Sequence, residues 1–280
     1  MSQVWIVTGS SRGLGLAIAQ AALAAGHRVI ATSRNGQLNP ALKQYEDKVL
    51  AMPLDVKSAE NQLFEDIIAQ AVNHFGRIDV LVNNAGYGQL THFEETDEEQ
   101  IRSAFETNVM GLMRMTRSVL PVMRKQQSGH VINISSVAGY CGGGAVYSAT
   151  KFAVTGFTTS LAQEVASFGI KVTNVAPGFF RTDFLDRSSV QMTSACLIED
   201  YESARQWRHT FIEQANHNQG GDPAALGRLL VEIAAVAKPP VHLPVGEDAI
   251  RDIVQYQQAL SEDINAWQDK SGKETAMSLS

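Results

Sequence analysis

Cysteine is scarce. The two in the chain, Cys141 and Cys196, follow neither a metal-ligand nor a disulfide spacing, so they read as reduced thiols of a cytoplasmic protein. Long apolar runs are missing as well; none approaches the ~20 residues that a membrane-spanning helix needs. A strand-like run, Val4-Trp5-Ile6-Val7, begins almost at once, which argues against a secretory leader. Basic residues are outnumbered: 23 Lys and Arg against 29 Asp and Glu give a net charge of −6. That balance lacks the electrostatic footprint of a nucleic-acid or anionic-membrane binder. Internal repeats are lacking, and low complexity is confined to residues 141–144 and the last few.

What remains is an ordinary globular balance, with 44% hydrophobic and 19% charged residues. Short apolar runs at 4–7, 28–32, 49–53, 80–82, 130–134, 171–175 and 241–244 alternate with helical patterns. Buried-looking strands separated by amphipathic helices predict an α/β fold, a parallel sheet covered on both faces. No linker is evident before about residue 186, so residues 1–280 are expected to form one domain with an elaborated C-terminal third.

Directly after the first strand comes Thr8-Gly9-Ser10-Ser11-Arg12-Gly13-Leu14-Gly15, followed by a helical pattern. Glycines let the backbone turn sharply and approach a ligand. The free N–H groups and positive end of the following helix attract phosphate. An NAD-binding carboxylate is wanted about twenty residues further on, and it is lacking: the second strand ends Ala31-Thr32-Ser33-Arg34. Arg34 suits a 2′-phosphate, because guanidinium pairs with phosphate in a bidentate, charge-assisted way. Arg12 offers a second positive charge. The cofactor expected is therefore NADP(H).

In Tyr147-Ser148-Ala149-Thr150-Lys151 the first and last residues stand four apart, on one helical face and about 6 Å along the axis. A free phenol titrates near about pH 10. An ammonium held beside it favours the anion and lowers that value. The pair is thus expected to give Tyr147 a proton that can be exchanged near neutral pH, as general acid–base chemistry on an alcohol or carbonyl requires.

Together with Asn83-Asn84-Ala85-Gly86 and Pro177-Gly178, these motifs occur in the order of the short-chain dehydrogenase/reductase family, which the chain resembles from about residue 4 to 182 and again near 222–246. The resemblance implies a doubly wound, Rossmann-type sheet of about seven parallel strands. It implies that Gly9, Ser11, Arg12, Gly13, Leu14 and Gly15 hold the cofactor phosphates, Asp55 and Val56 the adenine, and Asn84, Ala85 and Gly86 the cofactor wall. Pro177, Gly178, Phe180 and Thr182 would face the nicotinamide carboxamide, and Lys151, with Tyr147, its ribose. The catalytic set it implies is Asn108, Ser136, Tyr147 and Lys151: Ser136 orients the substrate oxygen, Tyr147 moves the proton, and the Asn108 carbonyl holds a water leading to Lys151. From Ser136 to Tyr147 the spacing is a residue or two shorter than the family's, with Gly142-Gly143-Gly144 in the gap.

In this family the segment corresponding to 186–221 covers the substrate. Here Tyr201, Ala204, Arg208, Phe211, Ile212 and Ala215 share a helical stripe with Trp207 at its edge. Such a lid favours an apolar substrate, and Tyr87, Phe93, Tyr140, Cys141 and Phe179 are the expected wall. His209, Glu213 and His217 share a helical face, but no further ligand stands near in sequence and no metal is expected. The tail over 249–280 continues as an amphipathic helix through Ile253, Tyr256, Leu260, Ile264 and Trp267. The partners expected are a small carbonyl or alcohol substrate and, by resemblance, further copies of the chain in a homodimer or homotetramer. Two other functions fit the same motifs: an NADP(H)-binding regulator without turnover, and a sugar-nucleotide epimerase or dehydratase.

Overall fold

The computed structural model describes residues 2–186, 188–193 and 197–273; Cys196 and the end of the expected tail lie outside them. In chain order the elements are β1 (Val4–Thr8), α1 (Gly13–Ala24), β2 (Arg28–Ser33), β3 (Val49–Pro53), α2 (Asn61–Phe75), β4 (Val80–Asn83) and β5 (Gly88–Gln89). Next come α3 (Glu98–Phe105), α4 (Gly111–Gln126), β6 (Gly129–Ile134), α5 (Ala145–Glu164), β7 (Ile170–Pro177) and β8 (Val190–Gln191). The last are α6 (Glu202–Ala215), α7 (Pro223–Ala235), β9 (His242–Val245) and α8 (Glu247–Gln268).

Seven strands form one sheet in the order β3-β2-β1-β4-β6-β7-β9, every pair parallel, with Ile6 opposite Ile30 on one side and Leu81 on the other. Successive strand residues point to opposite faces, and the packing follows. Val4 and Ile6 join Leu81, Val131 and Val172 against α2, α4 and α5, through Phe64, Ile67, Met115 and Leu161. Trp5 and Val7 join Val82, Ile132 and Val175 against α1 and α7, through Ile18, Leu23, Leu226 and Leu230. Both faces are covered, so the strands are apolar throughout rather than alternating.

The order reverses between β1 and β4, and in such sheets the ligand crevice opens beyond the carboxyl ends of the strands at that point. A lid crosses this edge. The two-residue strands β5 and β8 pair in parallel, and Leu185, Val190 and Ile212 form a small core of their own beneath α6.

The lid helix departs from expectation. Its buried positions are Arg205 and Ile212, while Ala204 and Phe211 are exposed. Arg205 is 4% exposed because it forms ion pairs with the buried Glu95 and with Glu202; a search for apolar spacing passes over it. The tail departs too. Only Ala249 and Ile253 of α8 are buried, and Tyr256, Leu260, Ile264 and Trp267 are exposed.

Candidate active site

The cofactor end is built by β1, the start of α1 and the end of β4. Gly9 has φ +67°, and a Cβ on Gly15 would lie 2.3 Å from the Gly9 carbonyl oxygen and 2.4 Å from Asn84 Nδ2. That amide nitrogen donates to the carbonyls of Thr8 (2.9 Å) and Gly9 (3.1 Å), while Thr8 Oγ1 accepts from the N–H groups of Asn84 and Ala85 (3.0 and 3.1 Å). Asn84 therefore ties down the loop's carbonyls. Arg12, at the N-cap of α1, supplies no side-chain cap, so the helix keeps its first N–H groups for a ligand. This cradle fits a dinucleotide pyrophosphate.

Arg34 is exposed and lines the same end of the cleft, with Ser11, Asp55 and Val56. Asp55 closes a turn, its Oδ1 accepting from the Lys57 N–H at 3.0 Å. Arg12 lines the same cavity, and its guanidinium donates to Ser188 Oγ (2.7 Å), the Ser188 carbonyl (3.0 Å) and Ser189 Oγ (2.8 Å). Hydroxyls and a carbonyl of the lid thus occupy its donors, while Arg34 and Lys57 line that end of the cavity.

At the other end β6 runs into two serines that differ sharply. Ser135 is 3% exposed, donates to the Lys151 carbonyl (3.1 Å) and lies 3.2 Å from Thr155 Oγ1. Ser136 N-caps a short turn by accepting from the Ala138 N–H (3.1 Å), and its hydroxyl favours the ionised form of the neighbouring Tyr147. Gly142 and Gly143 take φ of +85° and +159°, conformations that let the short connection turn into α5. Tyr147 and Lys151 are both buried on that helix. Lys151 Nζ donates to the Ile134 carbonyl (2.9 Å) and stands 5.7 Å from the Tyr147 ring centroid.

Burial pushes the Tyr147 phenol up to about 12, with the Ser136 hydroxyl acting the other way. Burial also pulls the Lys151 amine down to about 8. The four-residue spacing predicts that the lysine depresses the tyrosine. Here both groups are desolvated, and the ammonium sits over the ring with a carbonyl as its partner, so loss of water governs both.

Asn108 lies in a π turn, Glu106–Met110, between α3 and α4. Its Nδ2 donates to the Tyr87 carbonyl (2.9 Å) and Thr150 Oγ1 (3.1 Å), and its Oδ1 accepts from the Tyr87 N–H (3.0 Å). Thr150 in turn donates to the Tyr147 carbonyl (2.7 Å). A Cβ on Gly86 would come within 3.0 Å of Asn108 Oδ1 and 3.8 Å of Lys151 Nζ, so the glycine lets these groups meet.

Between the two ends lies one cavity of about 880 Å³. Beyond β7 a Cβ on Gly178 would fall 2.2 Å from the Asp248 carboxylate, which accepts from the Phe179 N–H (2.7 Å). Thr182 faces the glycine loop: a Cβ on Gly13 would lie 3.7 Å from its own. Its Oγ1 accepts from the Phe184 N–H (3.2 Å). Ala85, Gly86, Leu14, Pro177 and Phe180 also line the cavity.

The sequence pattern of the short chain dehydrogenase family matches residues 3–192. The chain belongs to that family. An oxidoreductase of Botryotinia fuckeliana, BOA17, is 38% identical over 278 residues, covering 97% of this chain and 98% of the relative. A 3-ketodihydrosphingosine reductase of Bacteroides thetaiotaomicron is 37% identical over 246 residues, covering 87% and 88%. The crystal structure of a short-chain dehydrogenase from Streptomyces avermitilis superposes with a TM-score of 0.87 at 37% identity, covering 99% of this chain and 100% of that one. The structure of ElxO with NADP bound superposes at 0.73 with 26% identity, covering 90% and 100%.

Within this short-chain dehydrogenase the substrate wall differs in part from expectation. Tyr87, Cys141 and Phe179 line the cavity. Phe93 is 63% exposed and lies outside the cavity lining. The Tyr140 hydroxyl is turned away, accepting from Asn174 Nδ2 (2.8 Å) and bonded to His242 Nδ1 (2.7 Å). Leu90, Phe184 and Gln219 line the cavity and were missed. Phe184, whose ring is 5.9 Å from that of Tyr147, was legible as the apolar residue two places beyond Thr182; Leu90 and Gln219 carry no motif. His209, Glu213 and His217 do not converge: His209 turns to the Thr193 carbonyl (3.4 Å), and His217 lies beyond α6, 3.3 Å from Asp186. No described helix is long and apolar enough to cross a membrane.

Proposed function

We propose that this chain is an NADP(H)-dependent oxidoreductase that interconverts a carbonyl and a secondary alcohol on a mostly apolar substrate, working chiefly as a carbonyl reductase. The observation that carries the reading is the meeting of Ser136, Tyr147 and Lys151 in the same cavity as the uncapped start of α1. Hydride would be supplied or taken by a nicotinamide held along the glycine loop and the wall of Asn84, Ala85 and Gly86. Ser136 holds the substrate oxygen against Tyr147, and Tyr147 gives that oxygen a proton as the carbon is reduced. A phenol pushed up to about 12 is in its donor form at neutral pH, which suits reduction. Lys151, pulled down to about 8, titrates close enough to neutrality to return the proton. Asn108 braces Tyr87 and α5 around them and, through its own carbonyl, would hold the water that leads outward.

Arg34, with no acidic residue at the end of β2, supports the 2′-phosphate. The apolar wall of Leu90, Phe179, Phe184 and Phe211 supports an apolar substrate. Met110 and Phe152, each 41% exposed near the Asn108 turn and on α5, support self-association as a dimer or tetramer. The compartment we assign is the cytoplasm.

The test is NADPH absorbance with a panel of ketones and aldehydes, small to steroid-sized, alongside NADPH and NADH binding to wild type and Arg34→Ala. Turnover with apolar carbonyls is expected, and Arg34→Ala should weaken NADPH about tenfold relative to NADH. NADPH binding without turnover across the panel would make the chain a nucleotide-binding regulator instead. An unchanged preference in Arg34→Ala would overturn the phosphate assignment.

A further inference from the structure

Arg208 stands on the lid helix α6, half-buried, with Trp207 and Phe211 beside it in the cavity lining. Its Nη1 donates to the Leu90 carbonyl, so the side chain crosses from the lid to the body. Nε and Nη2 have no hydrogen-bond partner among the described residues. Unlike Arg28 Nε, which is sealed without a partner, both keep accessible surface, and a ligand in the cavity can reach them.

No carboxylate stands within ion-pair distance of Arg208 among the described residues. Glu95 acts on it from further off, but is itself paired with Arg205 and accepts from the Ile198 N–H (3.1 Å). Asp252, also in the cavity lining, is held by Arg251 Nε at 2.8 Å. Burial pulls the Arg208 pKa below the ordinary arginine value, yet a guanidinium keeps its charge in proteins. A cation half withdrawn from water without a counter-ion costs free energy that a bound anion would return.

The other cations of the cavity are placed elsewhere. Arg12 is on Ser188 and Ser189, Lys151 is on the Ile134 carbonyl, and Arg34 and Lys57 line the adenosine end. Arg208 instead meets the body near the reacting groups. A Cβ on Gly144 would lie 2.8 Å from Leu90 Cδ2 and 3.5 Å from its Cα. Tyr147 follows Gly144 by three residues, about 4.5 Å along α5. Nε and Nη2 form one edge of the guanidinium, two parallel donors spaced for the two oxygens of a carboxylate. We propose that Arg208 receives a carboxylate of the substrate, which is then an apolar oxo acid rather than an uncharged ketone. The assignment rests on the carbonyl-reductase reading above and gives the substrate a second point of attachment besides Ser136 and Tyr147.

The test compares medium-chain oxo acids, with the keto group at successive positions, against their methyl esters, by NADPH oxidation. The ester removes the charge and keeps the carbonyl and the chain. Wild type should favour the best acid over its ester by about tenfold or more in kcat/KM, chiefly through KM. In Arg208→Gln that ratio should fall to within about twofold of unity. Arg208→Lys keeps the charge without the two-pronged edge and should hold the ratio at about threefold; it carries the comparison if the glutamine variant fails to fold.

Wild type reducing the ester as well as the acid, or better, would overturn the proposal and leave the carbonyl reading standing. A preference for the acid that survives in both variants would also overturn it, giving the anion to another residue. Equal loss of acid and ester, with the ratio kept, would reduce Arg208 to a brace between α6 and Leu90. No turnover of any acid, ester or other carbonyl by wild type would sink the reductase reading, and this proposal with it.

Discussion

Lys151 is 6% exposed, with one carbonyl as its hydrogen-bond partner and its amine pulled down to about 8 by burial. Below pH about 8 the folded and unfolded chains both carry the proton, and the full cost of the buried charge is present. Between about 8 and the ordinary lysine value of 10.5 the unfolded chain binds more protons, so folding gains stability as pH rises. Lys151→Met lacks this group. Urea unfolding of both proteins at pH 7 and pH about 9.5 should show wild type gaining on the variant as pH rises; a constant gap would contradict the buried charge. The tyrosine contributes the opposite slope, from about 10 to 12, and cancels in the comparison. Tyr147 and Lys151 can be paired from the sequence because residues four apart share a helical face, whereas Ser136 is placed by the resemblance to the family's motif. Arg12's contacts with Ser188 and Ser189, and the Arg205–Glu95 ion pair, join residues far apart in the chain that no local pattern connects.

Asn108 owes its place to an element that sequence periodicity hides. The run 98–125 reads as one helix, and the structure interrupts it with the π turn Glu106–Met110. Such turns redirect a helix by one residue and recur at functional sites. Asn108 spends three hydrogen bonds on Tyr87 and Thr150, holding the β4–β5 connection against α5. Asn108→Ala leaves buried groups unpaired and should cost about 2–3 kcal/mol of stability, with kcat falling more than NADPH affinity. Denaturation together with steady-state kinetics checks both, and a stable, fully active variant would deny the brace. The seven main strands were readable within a residue or two at most ends, because apolar runs bounded by turn residues are what a doubly covered sheet requires. The strands β5 and β8 were not: at two residues each they carry no periodicity. On the lid helix the buried position is an arginine, which hydrophobic spacing cannot find.

Across the whole molecule a single cavity runs from Arg34 beside the glycine loop to Trp207 and Phe211 on the lid. The lid is pinned to the body by the β5–β8 pair, by the buried Arg205–Glu95 ion pair and by its own apolar core. Phe179, Phe211 and Trp207 contact one another in sequence, ring centroids 5.8 and 5.6 Å apart, and make an aromatic rim at the mouth. Family membership and strand order follow from motifs in sequence order. The occupant of the substrate half does not, because its wall is assembled from segments as distant as Leu90, Phe184 and Phe211. What unites the two halves is the claim that one phenol passes a proton to a substrate held against the nicotinamide. The direct measurement is NADPH oxidation by Tyr147→Phe with the best carbonyl of the panel, taken beside its NADPH dissociation constant. Turnover should fall by about 10²-fold or more, the lower range for a lost general acid, with NADPH binding within about threefold of wild type; turnover at the wild-type rate would contradict the account.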